Sequence, residues 1–377
     1  MSDPTEKAAE LSDLIQNHEE NITHRANRVS KEELRNFPNE DIAAILHQLS
    51  PRPKKAGSNN PCGPEINRPS PVVDWMFTFV KAPMPLLWQS VNERAALCVN
   101  KLGKFQLRTG GYAVMSHVWG ETCGWNTPTS WGPIDAALRK KGIIYSHFIK
   151  FFDRCDAEWL WVDILAMPEV FDDMTAAEKA QAETVRTGVI NSLNNIYTHA
   201  DKVVCLDSLL LRLHSGGMID VAVILCLSRW LTRLWPFAET KLAKRVILKT
   251  EDSAFDLDEI LSFLYDVVNN DDHRYFPIIA RLVPLRPVPP GHRDKTSSPR
   301  ETEATASQTF HNIYLGCENR NTDIDIDQAK VLFPVLNLKW QTGWTLHQGL
   351  RHIADSYPNE KATFQKYCNY RDINFTA

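Results

Sequence analysis

Apolar positions along the chain follow two alternating rhythms. Tyr112-Ala-Val-Met-Ser-His-Val-Trp119, after Gly110-Gly111, and Glu158-Trp-Leu-Trp-Val-Asp-Ile-Leu165 are short apolar runs that predict buried strands ending in polar residues. Lys202-Val-Val-Cys-Leu-Asp207 and Arg245-Val-Ile-Leu-Lys249 predict two more. Between these runs the spacing turns helical. Pro133 opens a helix through Lys140, and Met218 to Leu234 reads as another. Thr175-Ala-Ala-Glu178 has the form of a capping box, and the helix it starts runs to about Ala200 with Val185, Val189, Leu193, Ile196 and Tyr197 on one face. Strand and helix in alternation predict an α/β domain whose mostly parallel sheet carries helices on both faces.

Two breaks divide the chain. Residues 50–72 and 284–309 are rich in Pro, Gly, Ser and charge and read as linkers. They separate a helical N-terminal segment, 1–49, from a central domain, 73–283, and from a small α-rich C-terminal region, 310–377. With 43% hydrophobic and 10% aromatic residues over 377 positions, global disorder is excluded. A formal charge of -4 and a pI of about 6.3 show no basic excess, so no nucleic-acid partner is expected. The eight cysteines are scattered singly, with no CxxC pair, and no metal site is expected. The first ten residues are polar and mixed in charge, and no segment approaches ~18 uninterrupted apolar residues. The expectation is a cytoplasmic chain with reduced thiols and no membrane partner.

A parallel sheet gathers its ligand at the carboxyl ends of its strands. Here those ends carry Ser116-His117 with Trp119-Gly120, then Asp163, then Asp207. Ser116 and His117 are adjacent in a strand, so their side chains point to opposite faces and do not form a nucleophile and base pair. Arg229 and Arg233 are four apart and share a face of the predicted helix, where they can meet a pyrophosphate or pair with Asp207 or Glu239. Trp119, Trp230 and Trp235 suit stacking on a base or burial in a core. No GxGxxG, GxxxxGK[ST], HExxH or GxSxG motif is present.

Four blocks in order, Tyr112 to Gly120, Trp159-Leu-Trp-Val-Asp163, Asn195-Ile-Tyr-Thr-His-Ala200 and Arg229-Trp-Leu-Thr-Arg-Leu-Trp235 with Glu239, resemble the fungal heterokaryon-incompatibility (HET) domain over a motif core of about 112–250. That domain is similar to Toll/interleukin-1-receptor (TIR) domains, so the resemblance implies a flavodoxin-like sheet and a role in fungal non-self recognition, innate immunity and regulated cell death. Some TIR domains cleave NAD+ at the nicotinamide–ribose bond. The resemblance therefore implies NAD+ or a related nucleotide as substrate rather than cofactor, with Glu239 as the catalytic carboxylate. Ser116, Trp119, Gly120, Asp163, Arg233 and Trp235 would line the site. Because Pro236 lacks a backbone N–H, Glu239 is expected in the first turn of a new helix, where the dipole favours its ionised form. The rival implication is a catalytically inactive module that self-associates or docks an upstream receptor protein. Ala166, Pro236 and Ala238, which depart from the family blocks, favour the module, whereas Glu239 favours the enzyme.

Overall fold

The computed structural model describes residues 79–118, 142–214, 216–269, 275–285, 313, 316–317, 320–322, 324–371 and 373. The predicted N-terminal segment, the first linker, the helix from Pro133 to Lys140 and all but the first residues of the second linker lie outside them.

The chain enters through β1 (Phe79–Val80), α1 (Met84–Glu93), β2 (Ala96–Asn100) and β3 (Phe105–Arg108). It continues through β4 (Ala113–His117), β5 (Ile143–Ile144), α2 (Tyr145–Arg154), β6 (Trp159–Val162), α3 (Asp163–Ala166), α4 (Ala176–His199) and β7 (Lys202–Leu206). Then come α5 (Met218–Cys226), α6 (Leu234–Leu242), β8 (Val246–Lys249), β9 (Ala254–Asp256), α7 (Leu257–Asn269) and α8 (Phe276–Leu282). A C-terminal group follows: α9 (Asp327–Lys330), α10 (Leu332–Val335), α11 (Leu346–Ser356) and α12 (Lys361–Tyr370).

All four predicted strands form, and they lie side by side in parallel. The seven-stranded sheet has the order β3-β2-β6-β4-β7-β8-β9. Within it β4 pairs in parallel with β6 on one side and β7 on the other, and β7 pairs in parallel with β8. Counted along the chain, the parallel strands have the spatial order second, first, third, fourth, which is the flavodoxin-like order. The flanks β2, β3 and β9 are antiparallel additions that the apolar runs do not predict.

Alternation along the strands sorts the core into two faces. Val114, Trp161, Val203, Cys205, Val246 and Leu248 face α4, α5 and α7. Ala113, Met115, Leu160, Val162, Val204 and Leu206 face Phe148, Phe151 and Phe152 of α2. The capping box that starts α4 is present, since the Glu178 amide donates to Thr175 Oγ1 (3.2 Å) and the Thr175 amide to Glu178 Oε2 (2.8 Å). The C-terminal helices do not stand apart. Ile190 of α4 and Leu234, Phe237 and Ala238 of α6 share one core with Phe333, Trp340, Leu350 and Tyr367.

The predicted helix from Met218 to Leu234 is broken in the structure. α5 stops at Cys226, and side chains then satisfy the backbone of a turn. The Leu231 amide donates to Ser228 Oγ (3.1 Å), Thr232 Oγ1 donates to the Arg229 carbonyl (2.9 Å), and the Trp230 amide donates to Asp207 Oδ2 (3.2 Å). Arg233 is extended (φ -92°, ψ 145°) and pairs with Asn321, whose carbonyl accepts from the Leu234 amide at 2.9 Å. Arg229 and Arg233 therefore do not share a helix face.

Candidate active site

The strand order reverses between β4 and β7, where the connections leave to opposite sides. A crevice at the carboxyl end of such a sheet opens at that switch. β4 ends there in Ser116 and His117, paired with Cys205 and Leu206 of β7. Both are buried, and alternation turns them to opposite faces as predicted.

Ser116 faces α4 and α6. Its hydroxyl oxygen accepts a hydrogen bond from the indole N–H of Trp230 (2.7 Å), and its own proton is donated to Glu239 Oε2. The buried Tyr197 hydroxyl, on the inner face of α4, also hydrogen-bonds Glu239. β4 and α4 thus meet on one carboxylate of α6, and Trp230 joins them through Ser116. The break after Cys226 makes this possible, because it inserts the Trp230 side chain into the core and re-aims α6.

Glu239 is the sixth residue of α6 rather than a member of its first turn, because the helix already starts at Leu234. Pro236 sits third, where an amide would have no partner within the helix anyway. The expectation of a fully ionised carboxylate also changes. Burial raises the Glu239 pKa from 4.5 to about 7, the Asp163 charge adds to the rise, and the bonds from Ser116 and Tyr197 together with the His117 ring oppose it. Near neutral pH both protonation states are populated. The group is only partly buried, so it keeps an opening to solvent.

On the other face, His117 Nε2 lies 3.1 Å from Asp163 Oδ1, and that same oxygen accepts from the Ile164 amide at 2.7 Å. Asp163 thus begins α3, and its charge acts on Glu239. Asp207 is fully buried and holds the amides of Leu209, Leu210 and Trp230, a structural role at the end of β7. Trp235 packs between the sheet core and the C-terminal core, its indole N–H donating to Asp327 Oδ2 at 2.9 Å, and the Arg233 charge also acts on Asp327. Of the expected site residues, Ser116, Asp163 and Glu239 gather at the strand ends. Arg233 and Trp235 engage the C-terminal segment, and Trp119 and Gly120 lie outside the described residues.

The sequence placed His117 at the strand end and offered Trp230 for stacking or a core, but it did not give them the polar contacts seen here, and it read Tyr197 only as part of the apolar face of α4. Tyr197 fits the apolar face of α4 and Trp230 fits a core, so nothing in the spacing marks their polar atoms. No family model matches the chain, and comparison with curated proteins and with solved structures found no match. Among the described residues, no helix is long and apolar enough to cross a membrane.

Proposed function

We propose that this chain is a cytoplasmic HET-domain effector with a TIR-like core that hydrolyses NAD+ at the nicotinamide–ribose bond and acts in regulated cell death. One observation carries the reading: a carboxylate with a pKa raised to about 7 stands at the strand-order switch, held by two hydroxyls. Nicotinamide is cationic in the substrate and leaves neutral, so the C–N bond breaks with its electron pair going to nitrogen and without a general acid. The ribosyl centre becomes an oxocarbenium-like cation, which ionised Glu239 stabilises in a poorly hydrated setting. Water then bonds to the same carbon and gives a proton to Glu239, whose affinity for protons suits that step. Ser116 holds the carboxylate, and Asp163 stands near enough to accept from a ribose hydroxyl.

The test is nicotinamide release from NAD+ by the purified chain at high concentration, beside Glu239→Gln. Release by the parent that is lost in the variant is the expected result. Absence of release from folded, assembled parent protein would replace the enzyme with the module that self-associates or docks a receptor.

A further inference from the structure

Helix α6 carries Phe237 and Lys241 four residues apart on one face, with Glu239 midway and therefore turned to the opposite side. On the Phe237 side the structure holds two arginines, Arg320 and Arg371, that the site at the strand ends does not use.

We propose that Arg320, together with Arg371, binds a phosphoryl dianion behind α6. Arg320 is 4% exposed, and its guanidinium carbon lies 5.5 Å from the centre of the Phe237 ring. Its Nη1 donates to the Gly316 carbonyl, while Nε and Nη2 are buried and make no hydrogen bond. Those two N–H groups project from one edge of the planar guanidinium, the fork that engages two oxygens of one oxyanion. A buried fork without an acceptor is costly, and an oxyanion removes that cost. Arg371 adds one further open donor: its Nη2 donates to the Cys317 carbonyl at 2.8 Å, while its Nε, also buried, has no partner.

Charge selects the ligand class. The positive charges of Arg281 and Arg371 both act on Arg320, whose pKa falls to about 10, chiefly from burial. Arg320 and Arg371 form no salt bridge with a described acidic residue. A carboxylate would balance only one of the two arginines, Arg320 and Arg371, whereas a phosphoryl group brings two charges and enough oxygens for both. The dianion can be free phosphate or the terminal group of a phosphate monoester. This inference stands apart from the NAD+ reading, because Glu239 takes no part in it.

The test is calorimetric titration of the full chain with inorganic phosphate, and in a second arm with a nucleoside monophosphate, against chloride at equal ionic strength. Saturable binding is expected, weakened at least about tenfold in Arg320→Lys, which keeps the charge but loses the fork. Tighter binding of either compound supports the site and identifies the source of the phosphoryl group. Arg371→Lys is the second variant and decides the matter if Arg320→Lys does not fold by circular dichroism. Glu239→Gln should bind phosphate as the parent does, so loss of NAD+ cleavage and loss of the anion site are separable. No saturable heat with folded parent protein, or parent-like affinity in the folded lysine variants, would overturn the proposal.

Discussion

Replacing Glu239 by Gln should stabilise the protein above neutral pH and do little near pH 5. The carboxyl titrates at about 7 in the fold against 4.5 when free, mainly because burial disfavours its charged form. A raised acid pKa means that the native state binds more protons than the unfolded state between those two values, so stability falls as pH rises from 4.5 towards 7 and is level beyond. At about 1.4 kcal/mol for each pH unit the whole effect is roughly 3 kcal/mol, trimmed somewhat by the solvent opening at the site. Gln keeps the shape and a carbonyl acceptor for Ser116, with a loss of roughly 1 kcal/mol where a charge-assisted bond becomes a neutral one. The variant should therefore gain roughly 1 to 2 kcal/mol at pH 8 and be equal or slightly weaker at pH 5. Urea unfolding of both proteins at half-unit steps from pH 5 to 8.5 reads this directly. A difference that stays constant across that range, or that favours the parent more as pH rises, would refute the claim that burial of Glu239 burdens the fold.

Two other perturbations reach the same network and its support. Tyr197→Phe removes a hydrogen bond that favours ionised Glu239, so the acid limb of nicotinamide release should move to higher pH, by about half a unit to one unit; an unmoved limb would show that Tyr197 acts only through packing. Gly316→Ala should destabilise by about 1 to 3 kcal/mol in thermal or urea unfolding, because a Cβ there would lie 2.0 Å from Phe237 Cε2 within the shared core; parent-like stability would mean that this approach of backbone and ring relaxes freely.

The parallel centre of the sheet was legible because β4, β6, β7 and β8 are apolar runs buried on both faces, and the strand-end rule then directed attention to Ser116 and Asp163. The flanking strands were not. β3 is a four-residue run, Phe105-Gln-Leu-Arg108, half exposed and too short for alternation to stand out from a loop. The break between α5 and α6 was hidden for a different reason. Leu227, Leu231 and Leu234 continue a helical apolar spacing, and what ends α5 is tertiary: Asp207, just past β7, takes the Trp230 amide, and Asn321, far along the chain, takes that of Leu234. Local pattern carries no trace of a partner almost a hundred residues away. The same break corrected the shared face of Arg229 and Arg233 and moved Trp235 to Asp327.

The direction of the hydrogen bonds also decides which atom at this site is free to react. The Ser116 oxygen already accepts from Trp230, a donor that cannot reverse, so the single Ser116 proton is committed to Glu239. A serine used in this way is a poor nucleophile, since its base is a carboxylate and its lone pairs are partly spent on an indole. Glu239, in contrast, offers about four lone-pair sites when ionised and spends them on two donors, Ser116 and Tyr197. Its remaining capacity is not taken up by these two hydroxyls. The core residues thus do more than hold the carboxylate in place: their dryness raises its proton affinity while their two hydroxyls keep the ionised form accessible near neutral pH. Removing either hydroxyl should push the group towards the neutral acid, and replacing the surrounding apolar side chains with polar ones should return it towards the behaviour of an ordinary, permanently charged surface glutamate.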